Sequence, residues 1–141
     1  MTGISLMVGL RYWNILGDTI MVEMGSDHSV ITDRAASPAG GFSLVANDRF
    51  KLSIASMSFT KGSRLPGFFT YHNNRKFTTT DSDNDSAGNN CAHNYNNAPW
   101  WYGGCWDGSF WGGCGNSHTM GPYWQGSGGD QRNFAAIWVG F

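Results

Sequence analysis

Apolar and polar residues alternate over two stretches of the first half of the chain, Thr19–Met24 (TIMVEM) and Phe50–Met57 (FKLSIASM). A period of two is the pattern of a strand with one buried face. In the second stretch Phe50, Leu52, Ile54 and the segment from Ala55 to Met57 mark that face. The run Phe134–Phe141 (FAAIWVGF) predicts a final strand. Phe68–Tyr71 predicts a short extended segment, and Ser37-Pro38-Ala39-Gly40-Gly41 predicts a turn. From Thr78 to Pro99 there are almost no apolar residues, which predicts irregular structure. From Trp100 to Trp124 glycines and aromatics alternate without a period. Glycine at that density excludes a helix there, and no helix is assigned anywhere.

The chain has 141 residues, the length of a single domain able to bury a core. Its hydrophobic share is 40% and its aromatic share 15%, with 7 Trp, 9 Phe and 5 Tyr, which argues against disorder. Charged residues make up only 13%, about half the usual ~25%. Solubility therefore rests on neutral polar groups. A net charge of −1 argues against a nucleic-acid partner. The apolar stretches are too short for a transmembrane segment. Met1 to Leu10 lacks a basic leader and is broken by Gly3 and Gly9, so no targeting signal is read. A secreted chain with its signal removed would look the same. Eight of the ten acids and eight of the nine bases precede residue 86, while six of the seven Trp follow it. This is one composition shift within one domain, the second half being rich in loops.

Asp81-Ser82-Asp83-Asn84-Asp85 concentrates chemistry. Three carboxylates at alternate positions repel one another unless a cation neutralises them, and hard oxygen donors suit Ca²⁺. An EF-hand is excluded, because Ser86 and Ala92 stand where its Gly and Glu belong. The competing reading is a solvated acidic turn. Asn84-Asp85-Ser86 is formally a glycosylation sequon. The cysteines, Cys91, Cys105 and Cys114, are odd in number, so one thiol is left over if a disulfide forms. A zinc site from Cys91, His93, Cys105 and Cys114 matches no common spacing. No nucleophile elbow, P-loop or dinucleotide fingerprint is present, and no enzyme activity is expected. His28, His72, His93 and His118 read as surface or turn histidines.

The order of motifs resembles the C-terminal half of the fibrinogen-like domain. Asp81-Ser82-Asp83-Asn84-Asp85 stands for D-x-D-N-D, Asn90-Cys91-Ala92 for N-C-A, and Trp100-Trp101-Tyr102-Gly103-Gly104-Cys105 for W-W-x-x-x-C. Upstream, the run from Tyr71 to Thr79 (YHNNRKFTT) resembles Y-H-N-G-x-x-F-S-T, and Phe50-Lys51-Leu52-Ser53-Ile54 resembles Y-x-L-x-I. Met120-Gly121-Pro122-Tyr123 stands near L-N-G-x-Y, and Ile137-Trp138 near the last I-x-W. The match covers residues 42–141. Residues 1–41 are a weakly matched part of the same domain. The implied fold is α+β, mostly β and loop, with a small antiparallel sheet and a long calcium-binding loop. It is a truncated version of the family domain, without the N-terminal subdomain and the last strand.

The resemblance implies a Ca²⁺ site with side-chain ligands Asp83 and Asp85 and carbonyl donors Ala87 and Asn89. It implies a disulfide from Cys91 to Cys105, with Cys114 as the alternative partner, since residues 106–114 read as an insertion that ends in a second cysteine. It also implies a pocket for acetylated sugars beside the calcium loop. Tyr95 matches an aromatic of its wall, Gly104-Cys105 a strained peptide whose N–H groups hold the acetyl oxygen, and Tyr123, Trp124 and Phe134 the rest of the wall. The family commonly has His directly after the second cysteine. Here Trp106 or Gly115 stands there, and His118 is the substitute. Fibrin-type pockets hold an N-terminal amine with carboxylates, and the positions near Asn94, Tyr95 and Asn133 carry none.

Two functions follow as expectations. One is a secreted, calcium-binding recognition module for an acetylated glycan or glycoprotein. The other is a structural subunit of an extracellular fibre, matrix or adhesive. Low charge, truncated edges and Trp106, Phe110 and Trp111 in the insertion predict self-association or docking on a neighbouring chain.

Overall fold

The fold is known from a computed structural model that describes residues 9–105, 108–110, 123–124, 130–131 and 134–141, those between 123 and 131 by their backbone alone. The alternating segment at Thr19 becomes strand β1, Ile20–Asp27. It turns through Asp27, whose carboxylate accepts the N–H groups of Ser29 at 2.7 Å and Val30 at 3.1 Å. The chain returns antiparallel as β2, Val30–Ala36. Strands β3, Phe42–Val45, and β4, Lys51–Ile54, form a second, two-stranded sheet. β5, Ser58–Lys61, then adds to β2. Three two-residue strands, β6 Gly108–Ser109, β7 Tyr123–Trp124 and β8 Asp130–Gln131, pair antiparallel in that order. The last strand, β9, Phe134–Val139, pairs with β1, from Ile20 opposite Val139 to Gly25 opposite Phe134. The main sheet therefore runs β5-β2-β1-β9 and ties the end of the domain to its beginning.

Ile20, Val22 and Met24 of β1 and Ala35 of β2 face one buried cluster, which also holds Leu44, Leu52, Ile54, Phe68, Phe77, Trp100 and Trp101. Trp100 and Trp101 are fully buried. Trp100 packs edge-on against Phe68, and Trp101 packs edge-on against Phe77 with ring centroids 5.0 Å apart. Such pairs add about 1 kcal/mol each beyond the area they bury. Asp33 is a buried carboxylate, and it is fully paired. It accepts from the Thr32 hydroxyl at 2.8 Å, from the N–H groups of Ser63 and Arg64 at 3.2 Å, and from the Arg64 guanidinium at 3.3 Å. Gly62 approaches it at φ +68°, where a Cβ would lie 2.0 Å from the carboxylate oxygen.

The turn between β3 and β4 is strained. After the 3₁₀ turn Ala46–Asp48, Arg49 and Phe50 both adopt left-handed backbone, at φ +55° and +52°. Each costs about 1 kcal/mol in a non-glycine residue. Neighbours hold both carbonyls: the Phe77 N–H donates to Arg49 O, and the Trp101 indole donates to Phe50 O, each at 2.9 Å. Phe50 thus stands before the strand, not in it. Ala55 is exposed, while Leu52 and Ile54 are buried and Phe50 and Met57 pack half-buried against the same core. The turn from Asn73 to Arg75 lies along β4: the Asn74 N–H donates to Leu52 O at 2.8 Å and the Leu52 N–H to Arg75 O at 3.0 Å. The Asn73 side chain exchanges two 2.8 Å hydrogen bonds with the backbone of Ile54.

Short helices occur where none was assigned. Leu10–Tyr12 is 3₁₀ and leads into α1, Trp13–Leu16; α2 spans Pro66–Thr70 and α3 Cys91–Asn94. The expected extended segment at Phe68 is therefore helical. Pro66 opens α2 at a position that suits its fixed φ, and Phe68 turns into the core. Asn90 caps α3, accepting the N–H groups of Ala92 and His93.

His72 corrects the surface reading of the histidines. It is fully buried, with Nδ1 2.8 Å from the Trp101 carbonyl. A carbonyl only accepts, so Nδ1 carries the proton of a neutral ring. Burial holds its pKa down at about 4, against the opposing pull of that hydrogen bond. The unfolded chain protonates near pH 6.5 and the folded one only near 4, so the unfolded state gains protons first as pH falls. Stability from this group is complete above about pH 6.5 and is lost towards pH 4. Lowering pH from 7 to 5 should remove about 2 kcal/mol through His72 alone. Urea unfolding at the two pH values should show this loss, and His72→Phe should abolish most of it. An equal pH slope in the variant would refute the assignment.

Candidate functional site

The acidic segment lies in a loop closed at its base by Thr78 and Trp100, which exchange backbone hydrogen bonds of 2.9 and 3.1 Å. Within it, side chains replace secondary structure. The Asn84 N–H donates to the Thr78 hydroxyl at 3.0 Å, and its amide donates to Phe77 O at 2.8 Å and to Ser82 O at 3.1 Å. Asn90 donates to Thr79 O at 2.9 Å. Because the Asn84 amide nitrogen is committed to these acceptors, the sequon at Asn84 is not presented for glycosylation.

Asp85 ties the loop to α3. One carboxylate oxygen accepts the Ala87 N–H and the other the Cys91 N–H, both at 2.9 Å. Asp83 is exposed, accepts the Asp85 N–H at 3.3 Å and lies within hydrogen-bonding reach of the Asp85 carboxyl. Burial raises the Asp85 pKa, the Cys91 and Ala87 N–H groups oppose the rise, and the neighbouring Asp83 charge adds to it. Two carboxylates this close favour a shared proton or a shared cation. Among the described residues the carbonyls of Ala87 and Asn89 accept no hydrogen bond. The two carboxylates and the two carbonyls would together offer hard oxygen donors, the kind that Ca²⁺ takes. No cluster of three His, Cys, Asp or Glu occurs among the described residues. Cys91 and Cys105 form a disulfide with Cα atoms 5.2 Å apart, which removes two thiolates from the zinc reading. Cys114 lies outside the described residues.

The disulfide carries the loop across to Gly103-Gly104-Cys105. There Gly103 donates its N–H to Cys105 O at 2.9 Å, Cys105 sits at φ +74°, and the Ser86 N–H donates to Gly103 O at 3.0 Å. Tyr95 is half-buried and stacks on Tyr102 with centroids 6.1 Å apart. Tyr102 is buried, its hydroxyl donates to Ala98 O at 2.8 Å, and burial pushes its pKa upward. Tyr95, Gly104 and Cys105 therefore share one neighbourhood. Sequence reasoning missed three of its members. Tyr102 backs Tyr95, the Tyr71 hydroxyl stands 3.9 Å from where a Gly104 Cβ would lie, and Arg75 lies against Gly103. The motif residues Tyr71 and Tyr102 were in view but carried no role. Phe134 lies in β9 opposite Gly25 and makes no ring contact with Tyr95 among the described residues. The backbone of Tyr123 and Trp124 forms β7. His118, Trp106 and Trp111 fall outside the described residues, whereas Phe110 is buried against Phe68 and Trp100. Phe110 is thus core, not an exposed loop tip.

Linking Cys91 to Cys105 should contribute about 3 kcal/mol. The double variant Cys91→Ala, Cys105→Ala is expected to lose that much in urea unfolding. Reductant should destabilise the parent and leave the variant unchanged. Identical parent midpoints with and without reductant would count against the bond.

Comparison with known proteins agrees with this architecture. A family model described as "Fibrinogen beta and gamma chains, C-terminal globular domain" matches residues 27–140. Tenascin of Gallus gallus is 41% identical over 80 residues, which is 56% of this chain and 4% of that protein. Angiopoietin-related protein 2 of Mus musculus is 51% identical over 37 residues, 26% of this chain and 7% of that one. Among solved structures, the fibrinogen-like globe domain of human ANGPTL2 superposes with a TM-score of 0.63 at 28% identity, covering 84% of this chain and 56% of that chain. The corresponding domain of human ANGPTL6 gives 0.62 at 30% identity, covering 86% and 55%. The chain thus spans a small fraction of its curated relatives and about half of the solved domains. With the family match over most of its length and the mostly-strand fold in agreement, the chain belongs to the fibrinogen C-terminal domain family.

Proposed function

We propose that the chain is a secreted, calcium-dependent recognition module whose ligand is an acetylated glycan or glycoprotein. The observation that carries this reading is the mechanical continuity of loop and pocket wall. Asp85 holds the start of α3 through the Cys91 N–H, and Cys91 holds Cys105 covalently. A bound Ca²⁺ supplies the positive charge that lets Asp83 and Asp85 remain ionised side by side. Everything else is the work of the chain. The Tyr95 ring, backed by Tyr102, offers an apolar face for an acetyl methyl. The backbone at Gly104 and Cys105 is the place for an N–H donor to the acetyl oxygen.

N-acetylglucosamine binding measured by calorimetry, with calcium and then with chelator, tests this. Chelator and the pair Asp83→Asn, Asp85→Asn should each weaken binding at least tenfold, and Tyr95→Ala should do so with calcium affinity intact. Binding that ignores chelator, or no binding at all, would overturn it.

A second reading, a subunit of an extracellular assembly, is favoured by one surface. Ile15, Leu16 and Phe141 are more than half exposed, and the backbones of Leu16, Gly17 and Gly140 meet in close contact. These side chains therefore crowd one end of the β1–β9 pair. Sedimentation at low micromolar concentration should then show dimers or larger species, and Leu16→Ser with Phe141→Ser should return them to monomers. A monomeric parent would remove this reading.

A further inference from the structure

On the other side of the acidic segment lies an open cleft of about 230 Å³. It is lined by apolar Leu10, Ala46, Phe50 and Phe77 and by polar Arg49, Thr79, Asp81, Ser82 and Asn84. It shares no residue with the Tyr95 surface, so the two can be probed separately.

The rim is built, and its charges are left for a ligand. Arg49 and Phe50 sit in the paired left-handed conformation described above, with both carbonyls fixed by Phe77 and Trp101. Backbone strain held by its surroundings is a mark of functional positions. The nearest carboxylate in sequence, Asp48, is occupied by Lys51 at 2.7 Å and Lys76 at 3.1 Å. The Arg49 guanidinium makes no ion pair or hydrogen bond among the described residues. Asp81 is exposed and accepts the Thr79 hydroxyl and its own backbone N–H, which hold its carboxylate below the usual range and ionised at the rim. The Ser82 oxygen accepts from Asn84 at 3.0 Å, which leaves its own O–H free to donate. A cationic fork, an exposed carboxylate and a hydroxyl able to donate thus line a cleft that also holds Phe50 and Phe77.

We propose that this cleft binds one carboxylate-bearing sugar residue of the hexuronic acid type. The guanidinium fork of Arg49 takes the sugar carboxylate. Asp81 accepts from ring hydroxyls and Ser82 donates to them, while the apolar face of the ring lies on Phe50. The volume is below that of drug-sized pockets, roughly 300–1,000 Å³, and suits a single ring.

The test is a two-dimensional ¹⁵N–¹H NMR titration of the full chain with methyl glucuronide at millimolar concentration, with methyl glucoside, N-acetylglucosamine and phenylalanine as comparison ligands. Amide shifts should centre on Arg49, Phe77, Asp81, Ser82 and Asn84, and the neutral glucoside should bind at least tenfold more weakly. Asn tolerates left-handed backbone, so Arg49→Asn removes the charge without disturbing the turn. It should abolish the response, and Arg49→Gln gives the same reading if the first variant fails to fold. The response must persist in excess chelator, which separates Arg49 from a carboxylate bound through a cation. N-acetylglucosamine shifting only the region of Tyr95 and Cys105 reports on the other site. Equal binding of the glucoside, tighter binding of phenylalanine, loss in chelator, or full binding by Arg49→Asn and Arg49→Gln would each overturn the proposal.

Discussion

The adjacent pair Trp100 and Trp101 is the constraint on which the rest of the domain hangs. Both are fully buried, with ring centroids 5.3 Å apart, yet their polar atoms reach in three directions. The Trp100 backbone clamps Thr78 and so closes the base of the acidic loop. The Trp101 carbonyl fixes His72, and its indole N–H fixes the strained carbonyl of Phe50. Four residues beyond, the same segment reaches Cys105 and the disulfide. Two large side chains thus join the loop segment to the cluster built by the strands. Their backbone and indole groups distribute that rigidity to the turn, the loop and the pocket wall.

How far the fold was legible follows from this division of labour. β1 and β9 were visible because alternation survives where one sheet face is buried. β2 was missed because Asp33 and Arg34 stand at its centre. Both are paired across the sheet or into the next loop, Arg34 with Glu23 at 2.6 Å and Asp33 with Arg64 at 3.3 Å, so charge was neutralised in three dimensions but not in sequence. The helices α1 to α3 were missed because none of them exceeds five residues, and α2 and α3 are held by a local device, Pro66 or Asn90, with no amphipathic period. Phe50 misled because a regular alternation ran through a residue whose φ is set by Trp101 and Phe77, a tertiary override of a local pattern.

The site was legible to the extent that it resides in ordered short motifs. The pairing of Cys91 with Cys105 followed from the resemblance, and the structure chose it over the alternative. What spacing alone did not carry is the set of backbone-directed side chains that shape the loop. Asn84 and Asn90 hold it by donating to carbonyls on the opposite stretch, and nothing in their local sequence distinguishes them from turn asparagines. Arg75 likewise meets Gly103, Tyr71 meets Gly104 and Tyr102 stacks on Tyr95 only through folding.

The segment from Phe77 to Asp85 consequently has two working sides. Thr79, Asp81, Ser82 and Asn84 border the Arg49 cleft, while Asp85 turns towards Cys91 and the disulfide. Asn84 fixes the first side, since its amide grips Phe77 and Ser82 while its backbone N–H grips Thr78. The loop is therefore stiff at its entrance. Beyond Ser86 it is tied by fewer bonds, and Gly88 and Asn89 are exposed. In a chain with so few charges, neutral amides and hydroxyls hold the shape, and the carboxylates of Asp81 and Asp83 are left facing solvent.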